Sequence, residues 1–212
     1  MLDETPGLVG VKQENGIRKY LKRYFWGIKA NVQKLVWFIY EHGSRGLKAI
    51  RQFLDNFIGF FTTDGYVVYK VYEDDDEHPD QHRSACLTHI RRKFVESLED
   101  YKGLGTLTKK ALKYIKTEWP AMQTILQDGN LELSNNLAEQ MMRHIKMNLK
   151  NCLNIGSEDS ALDYAFMYSV MESCGMNKLS PGWYIKELVA RLTAKPCSYV
   201  EKVALLPCYI KK

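Results

Sequence analysis

The chain predicts an α/β fold with strands of mixed direction, on three observations. Its first third carries short runs of Val, Ile, Trp, Phe and Tyr separated by turn residues, as strands do. From residue 44 the apolar spacing changes to a helical period, which dominates the second half. Between the two regimes lies one more apolar run, GFFTTDGYVVY, a strand that ends in an acid followed by glycine. Three strands, a helix and a fourth strand make a layered α/β arrangement.

In order, GLVGVKQ, RYFWGIKAN and KLVWFIYEH read as the first three strands. Glu14-Asn15-Gly16 forms the hairpin turn between the first two, and Asn31 breaks the second from the third. Over residues 44–57, Leu47, Ile50, Phe53, Leu54 and Phe57 fall on one helical face, with Ser44 as N-cap and Gly59 as stop. The fourth strand ends at Asp64-Gly65. The acidic run at 73–77 reads as a solvated loop, because adjacent like charges repel. A short fifth strand is expected at 84–87, leading into a basic helix, HIRRKFVESLEDY. Residues 106–128 read as helical, with Leu107, Ala111, Leu112, Ile115 and Trp119 on one face and Pro120 as a new start or a kink. Helices follow over 131–151 and 157–175, and Ser180-Pro181 opens a last one through Leu192. There is no internal repeat and no low-complexity linker.

At 212 residues, 45% of them hydrophobic, the chain suits one large domain with a sizeable core. A net charge of +5 suits a nucleic-acid partner and falls far short of a histone-like tail. Cys86, Cys152, Cys174, Cys197 and Cys208 are scattered and odd in number, which fits no disulfide framework and suits a reducing cytosol. No signal peptide opens the chain and no apolar run is long enough to cross a bilayer, so no membrane partner is expected.

The helix at 131–151 carries one acid, Glu139, among amides and cations. Asn135 and Asn136 lie one turn before it, Arg143 one turn after, and Lys146 and Lys150 follow, while Leu137, Met141, Ile145 and Leu149 supply an apolar side. A carboxylate between a buried stripe and a basic run suits a metal ligand facing a polyanion. Asp3 and Asp64 stand out as partners by placement, although among 25 acids the spacing alone is a weak signal. Phosphodiester cleavage by two divalent cations needs carboxylates that bridge and flank the metals, and acids distant in sequence can converge to supply them. The plain readings are a terminal residue for Asp3, a turn for Asp64 and a surface acid for Glu139. Arg91, Arg92, Lys93, Arg143, Lys146 and Lys150 are candidate phosphate contacts, or else ordinary solvated faces. Cys86 and His89 form a C-x-x-H pair; no second pair follows, so a closed zinc site is not expected. The pair, with Asn135 and Asn136, reads as packing or positioning groups.

Four motifs occur in order: LDETP at 2–6, TTDGYVVY at 62–69, CLTHIRRKF at 86–94 and LELSNNLAE at 131–139. LKNCLNIGS at 149–157 and WYIKELVARL near the end follow them. Together they resemble the catalytic region of the insertion-sequence 66 (IS66) family of bacterial transposases, over nearly the whole chain. The resemblance implies a ribonuclease-H-like mixed sheet flanked by helices, in one domain over 1–212. A short helical insertion at about 95–130 would precede the third acid, and the C-terminal part would be helical. It also implies a DDE site in which Asp3, Asp64 and Glu139 hold two divalent cations, Mg2+ or Mn2+. Asp3 and Asp64 would be the paired ligands, with Glu139 on the second cation.

The implied reaction nicks a transposon end and joins the freed 3′-hydroxyl to target DNA. Partners would be both DNAs, a second copy in a synaptic complex, and companion proteins of the element. The place would be the bacterial cytoplasm, at the nucleoid. Against the family pattern, the chain begins two residues before its first acid, and the stretch between Phe94 and Leu131 is short. Gln140 stands where Arg is frequent, and Asn148-Leu149 where Gly-Arg is. Two other readings stay open: a truncated, inactive transposase remnant that only binds DNA or a partner chain, and a ribonuclease-H-like nuclease or scaffold of another role.

Overall fold

A computed structural model describes residues 1–74, 78–99, 105–196 and 199–207. The chain forms two compact units: residues 1–2 with 46–137, and residues 3–45 with 138–212.

The second unit is built on a three-stranded sheet in the order β1 (Leu2–Lys12), β2 (Arg18–Ala30), β3 (Leu35–Ile39). Tight turns join the strands. Between β1 and β2, Gln13 N–H donates to the Ile17 carbonyl at 2.8 Å and the Asn15 carboxamide oxygen accepts from Ile17 N–H. Gly16 adopts φ +80° there, a conformation that costs glycine least. β2 and β3 are antiparallel, with Trp26 opposite Ile39 and Ala30 opposite Leu35.

Three helices complete this unit: α5 (Asn136–Asn151), α6 (Glu158–Met176) and α7 (Pro181–Ala194). Val9, Phe25, Val36, Phe38 and Tyr40 of the sheet side pack with Met141, Met142, Ile145 and Leu149 of α5 and Ala161 and Ala165 of α6. Each fully buried large side chain of this kind contributes about 1.5–3 kcal/mol. A Cβ on Gly27 would overlap the sulfur of Met142, so glycine lets the helix approach. Ser157 caps α6 by accepting Ser160 N–H at 3.1 Å, with Glu158 and Asp159 in the first turn.

α6 also completes β3. Val36 N–H donates to the Ser173 hydroxyl at 3.0 Å, and that hydroxyl donates back to the Val36 carbonyl. Phe38 N–H donates to Ser169 at 2.7 Å. The match is geometric: two residues along a strand advance about 6.6 Å, and four along a helix advance about 6 Å.

In the first unit, β4 (Gly59–Thr63) lies parallel to β5 (Gln81–Ala85), from Gly59 opposite Gln81 to Thr63 opposite Ala85. The crossover runs through α2 (Val67–Glu73), as parallel strands require. α1 (Leu47–Leu54) precedes the pair; α3 (Leu87–Glu99) and α4 (Thr106–Gln123) follow it. Ala85, Ile90 and Ala121 form a small apolar cluster with Leu87, Phe94, Tyr114 and Ile115. Ile50, Leu54, Phe61, Tyr69 and Tyr72 are buried in this unit as well, and a charge network joins them. Buried Arg83 donates to Glu118 at 2.9 Å and to Glu73 at 2.6 Å, and Lys70 also pairs with the fully buried Glu118. Burial works against the Arg83 charge, but Glu73 and then Glu118 overcome it and hold the guanidinium above its ordinary pKa.

Several expectations are corrected. The strands form two sheets, one with antiparallel turns and one parallel, because tight turns join the first three and a helical crossover joins the other two. The N-cap position of α1 is Gly46 and not Ser44, whose carbonyl takes the Trp26 indole N–H at 2.9 Å. The helix expected at 131–151 starts at Asn136, since Leu133 and Asn135 are engaged elsewhere through their backbones. In α4, Ala111 and Ile115 of the expected face turn inward, but Leu112 and Trp119 are exposed and Glu118 is buried; Pro120 sits inside the helix. Glu73 belongs to the ion network instead of a free loop. Asp75, Asp76 and Glu77 of the acidic run, with Cys197 and Cys208, lie outside the described residues.

Candidate functional site

Asp64 is the residue after β4, at the carboxyl end of a parallel strand, where α/β proteins place their ligands. Its side chain is set by the turn that follows. Oδ1 accepts Tyr66 N–H at 3.0 Å, and the Thr63 hydroxyl donates to the Asp64 carbonyl at 2.9 Å. Oδ2 accepts no hydrogen bond among the described residues. Gly65 is packed by Tyr114 of α4, whose hydroxyl a Cβ at position 65 would overlap. Burial pushes the Tyr114 hydroxyl up, and the negative charges of Glu118 and Asp64 push it further, so the phenol stays protonated beside the carboxylate.

One strand over, Cys86 follows β5 in the same way. Its N–H donates to the Thr63 carbonyl at 3.0 Å, and its Sγ accepts Asn135 N–H at 3.1 Å. Burial alone would push the Cys86 thiol up; hydrogen bonds from His89 and from the backbone N–H groups of Asn135 and His89 outweigh it and leave the thiol lowered to about 7. The buried Asn135 side chain donates from its amide nitrogen to the Leu2 carbonyl at 3.0 Å, and Leu87 N–H donates to the Leu133 carbonyl at 2.9 Å. The C-x-x-H pair therefore holds the segment that enters α5. Asn136 is exposed, and its N–H is taken by the Ser134 hydroxyl.

The second unit holds the other two acids. Asp3 is the second residue of β1, half-buried, and its Oδ1 accepts Glu4 N–H at 2.9 Å. Glu139 lies half-buried in the first turn of α5, next to buried Ala138 and Met142. Arg143, Lys146 and Lys150 form an exposed stripe along the same helix. Arg91 and Arg92 are exposed on α3 of the first unit, where Lys93 donates to Glu96 at 3.1 Å.

The donors are all carboxylate oxygens, the chemistry that hard cations such as Mg2+ and Mn2+ take. Among the described residues no group of three or more His, Cys, Asp or Glu could hold a metal ion. Residues that sequence reasoning did not single out include Tyr114, Thr63, the buried pair Arg83 and Glu118, and half-buried Lys70. The ion-pair partners among them and Glu73 are 10 to 48 positions apart in the chain, and no local spacing announces them.

A sequence model described as "Transposase IS66 family" matches residues 1–108 and 102–163. Three uncharacterized proteins of Sinorhizobium fredii (strain NBRC 101917 / NGR234) are similar. The protein y4jD is 23% identical over 135 residues, covering 63% of this chain and 26% of that protein. For y4qI the identity is 30% over 105 residues, covering 49% and 19%, and for y4hP it is 28% over 85 residues, covering 40% and 15%. The chain thus spans about a quarter or less of the length of the curated relatives it matches. No solved structure matches it. No helix among the described residues is long and apolar enough to cross a membrane. With the family model matching most of its length, the chain belongs to the IS66 family of transposases.

Proposed function

We propose that this chain is the catalytic region of a DNA transposase, of ribonuclease-H-like fold, that cleaves a strand at a transposon end and transfers it to target DNA. Asp3, Asp64 and Glu139 are the proposed acids. The observation that carries the reading is Asp64: the family motif TTDGYVVY puts its acid at the carboxyl end of a parallel strand, held by its own turn with one oxygen uncommitted.

Divalent cations bound by these acids would activate the attacking hydroxyl and stabilise the leaving oxygen. Magnesium sites of this class use one or two carboxylates and complete their shell with substrate phosphates, so a cage of protein ligands is not required. The chain's own groups have defined parts. The Tyr66 N–H orients Asp64, Tyr114 keeps a protonated hydroxyl beside it, and Cys86 with His89 fixes the entry to the helix that carries Glu139. Arg143, Lys146 and Lys150 offer exposed charge for DNA phosphates, as do Arg91 and Arg92. A second copy and companion proteins of the element are proposed partners in synapsis, in the bacterial cytoplasm at the nucleoid.

The test is incubation of the chain and of Asp64→Ala with a labelled transposon-end duplex and Mg2+ or Mn2+. Nicking and strand transfer by the parent, lost in the variant, are the expected result. Equal products from both, or none from the parent, would overturn the reading.

A further inference from the structure

The hairpin of β1 and β2 carries a concentration of charge that neither the acids nor the helix cations explain. Residues 12–23 hold five cations, Lys12, Arg18, Lys19, Lys22 and Arg23, against one acid, Glu14. Strand alternation puts Arg18, Tyr20, Lys22 and Tyr24 on one face of β2. The opposite face turns to the core, where Phe25 packs on Tyr40 and Tyr164, and Arg23 lies 3.9 Å from Glu158. On the first face, cations and rings are already interleaved. Lys22 Nζ sits 5.5 Å from the centre of the Tyr24 ring, and the Arg45 guanidinium sits 5.1 Å from the same ring. Arg18, Tyr20 and Lys22 are exposed, and among the described residues they form no ion pair and no ring stack. Tyr20 therefore presents an open aromatic surface between two unpaired cations.

We propose that this face, Arg18, Tyr20, Lys22 and Tyr24, binds a nucleic-acid strand, its phosphates on Arg18 and Lys22 and an unpaired base on Tyr20. Cations at alternate positions of an extended strand follow a phosphate backbone, and an exposed ring between them stacks a base whatever its identity. A protein partner would find little here: the exposed charge is of one sign, since Glu4 at its base is buried against Arg45. The proposal rests on the transposase reading only for the identity of the nucleic acid as DNA.

The test measures binding of labelled single-stranded and duplex oligonucleotides to the full chain by fluorescence anisotropy across a salt series. The Arg18→Ala/Lys22→Ala variant should lose about tenfold in affinity for both forms, and its log–log salt slope should fall by about two. A charge-matched control, Lys186→Ala/Lys195→Ala, removes two exposed cations from another surface and should stay near the parent. Tyr20→Leu should weaken single-strand binding about fivefold, leave duplex binding near parental, and be rescued by Tyr20→Trp. Equal losses in the hairpin variant and the charge-matched control would overturn the surface assignment. Equal effects of Tyr20→Leu on both DNA forms would overturn the base-stacking part. Salt-dependent binding by the parent with no nicking of the transposon-end duplex would count against the catalytic reading alone.

Discussion

In the first unit a buried ion pair, Arg83 on β5 and Glu118 on α4, joined by Lys70 and Glu73, links a strand to a helix. In the second the strand-to-helix link is made by two buried hydroxyls, Ser169 and Ser173 on α6, each serving one residue of β3. Both links sit beside apolar clusters: Ala85, Ile90 and Ala121 near the ion pair, and Val36 and Phe38 with α5 and α6 near the serines. The difference teaches how each unit should fail. A buried charge whose partner is removed leaves a full desolvation penalty behind, whereas a lost hydroxyl leaves one strand group unsatisfied.

The largest effect should follow Glu118→Ala, which leaves Glu73 as the carboxylate paired with Arg83, takes the paired acid from Lys70, and should lower stability by about 3–5 kcal/mol in urea denaturation. A loss below about 1 kcal/mol would erase the contrast between the units. Ser173→Ala should cost about 1–3 kcal/mol by leaving the Val36 N–H without its acceptor. Gly65→Ala should cost a similar amount, about 1–3 kcal/mol, through overlap with Tyr114. A double-mutant cycle with Tyr114→Ala would show whether the clash is with that ring.

The next effect is a dependence on pH. The folded Cys86 thiol is lowered from 9.0 to about 7, so its contribution is fully present above pH 9 and lost as pH falls through 7. Parent stability should therefore rise between those values, and Cys86→Ser should flatten the rise. The parent-minus-variant thiolate absorbance should titrate near the same midpoint, and at higher pH in His89→Ala. His89 and the Tyr114 hydroxyl are the titratable groups that face this thiol. Smallest is Arg191→Ala, which breaks an exposed pair with Glu187 and should stay within about 0.5 kcal/mol.

What the sequence made legible is what short-range chemistry decides. Glu14-Asn15-Gly16 announced its turn, Asn31 ended β2, and Pro181 opened α7, since each acts within a few residues. The apolar stripe of α5 appeared where its period put it, with Met141, Ile145 and Leu149 buried. Illegible features depended on distant partners. Glu118 reads as a solvent acid until Arg83, 35 positions earlier, comes to meet it. Residues 131–135 look helical until Leu87 and Cys86 take their backbone groups. The Arg-x-Tyr-x-Lys-x-Tyr alternation of β2 was readable, yet a strand pattern states which residues share a face and not which face meets the core. For the acids, the motifs supplied the assignment, and the structure adds the local setting of Asp64.

The serines of α6 have a partner in effect at the opposite border of the same sheet. Ile155 N–H donates to the Leu8 carbonyl and Gly10 N–H to the Ile155 carbonyl, both at 2.8 Å, so part of β1 is engaged as β3 is. Both outer strands thus have backbone groups occupied at positions where the strand of another chain could pair: Leu8 and Gly10 on β1, Val36 and Phe38 on β3. The sheet resists aggregation by this occupation of its borders, and replacing Ser169 and Ser173 together would reopen one of them to amyloid-like addition.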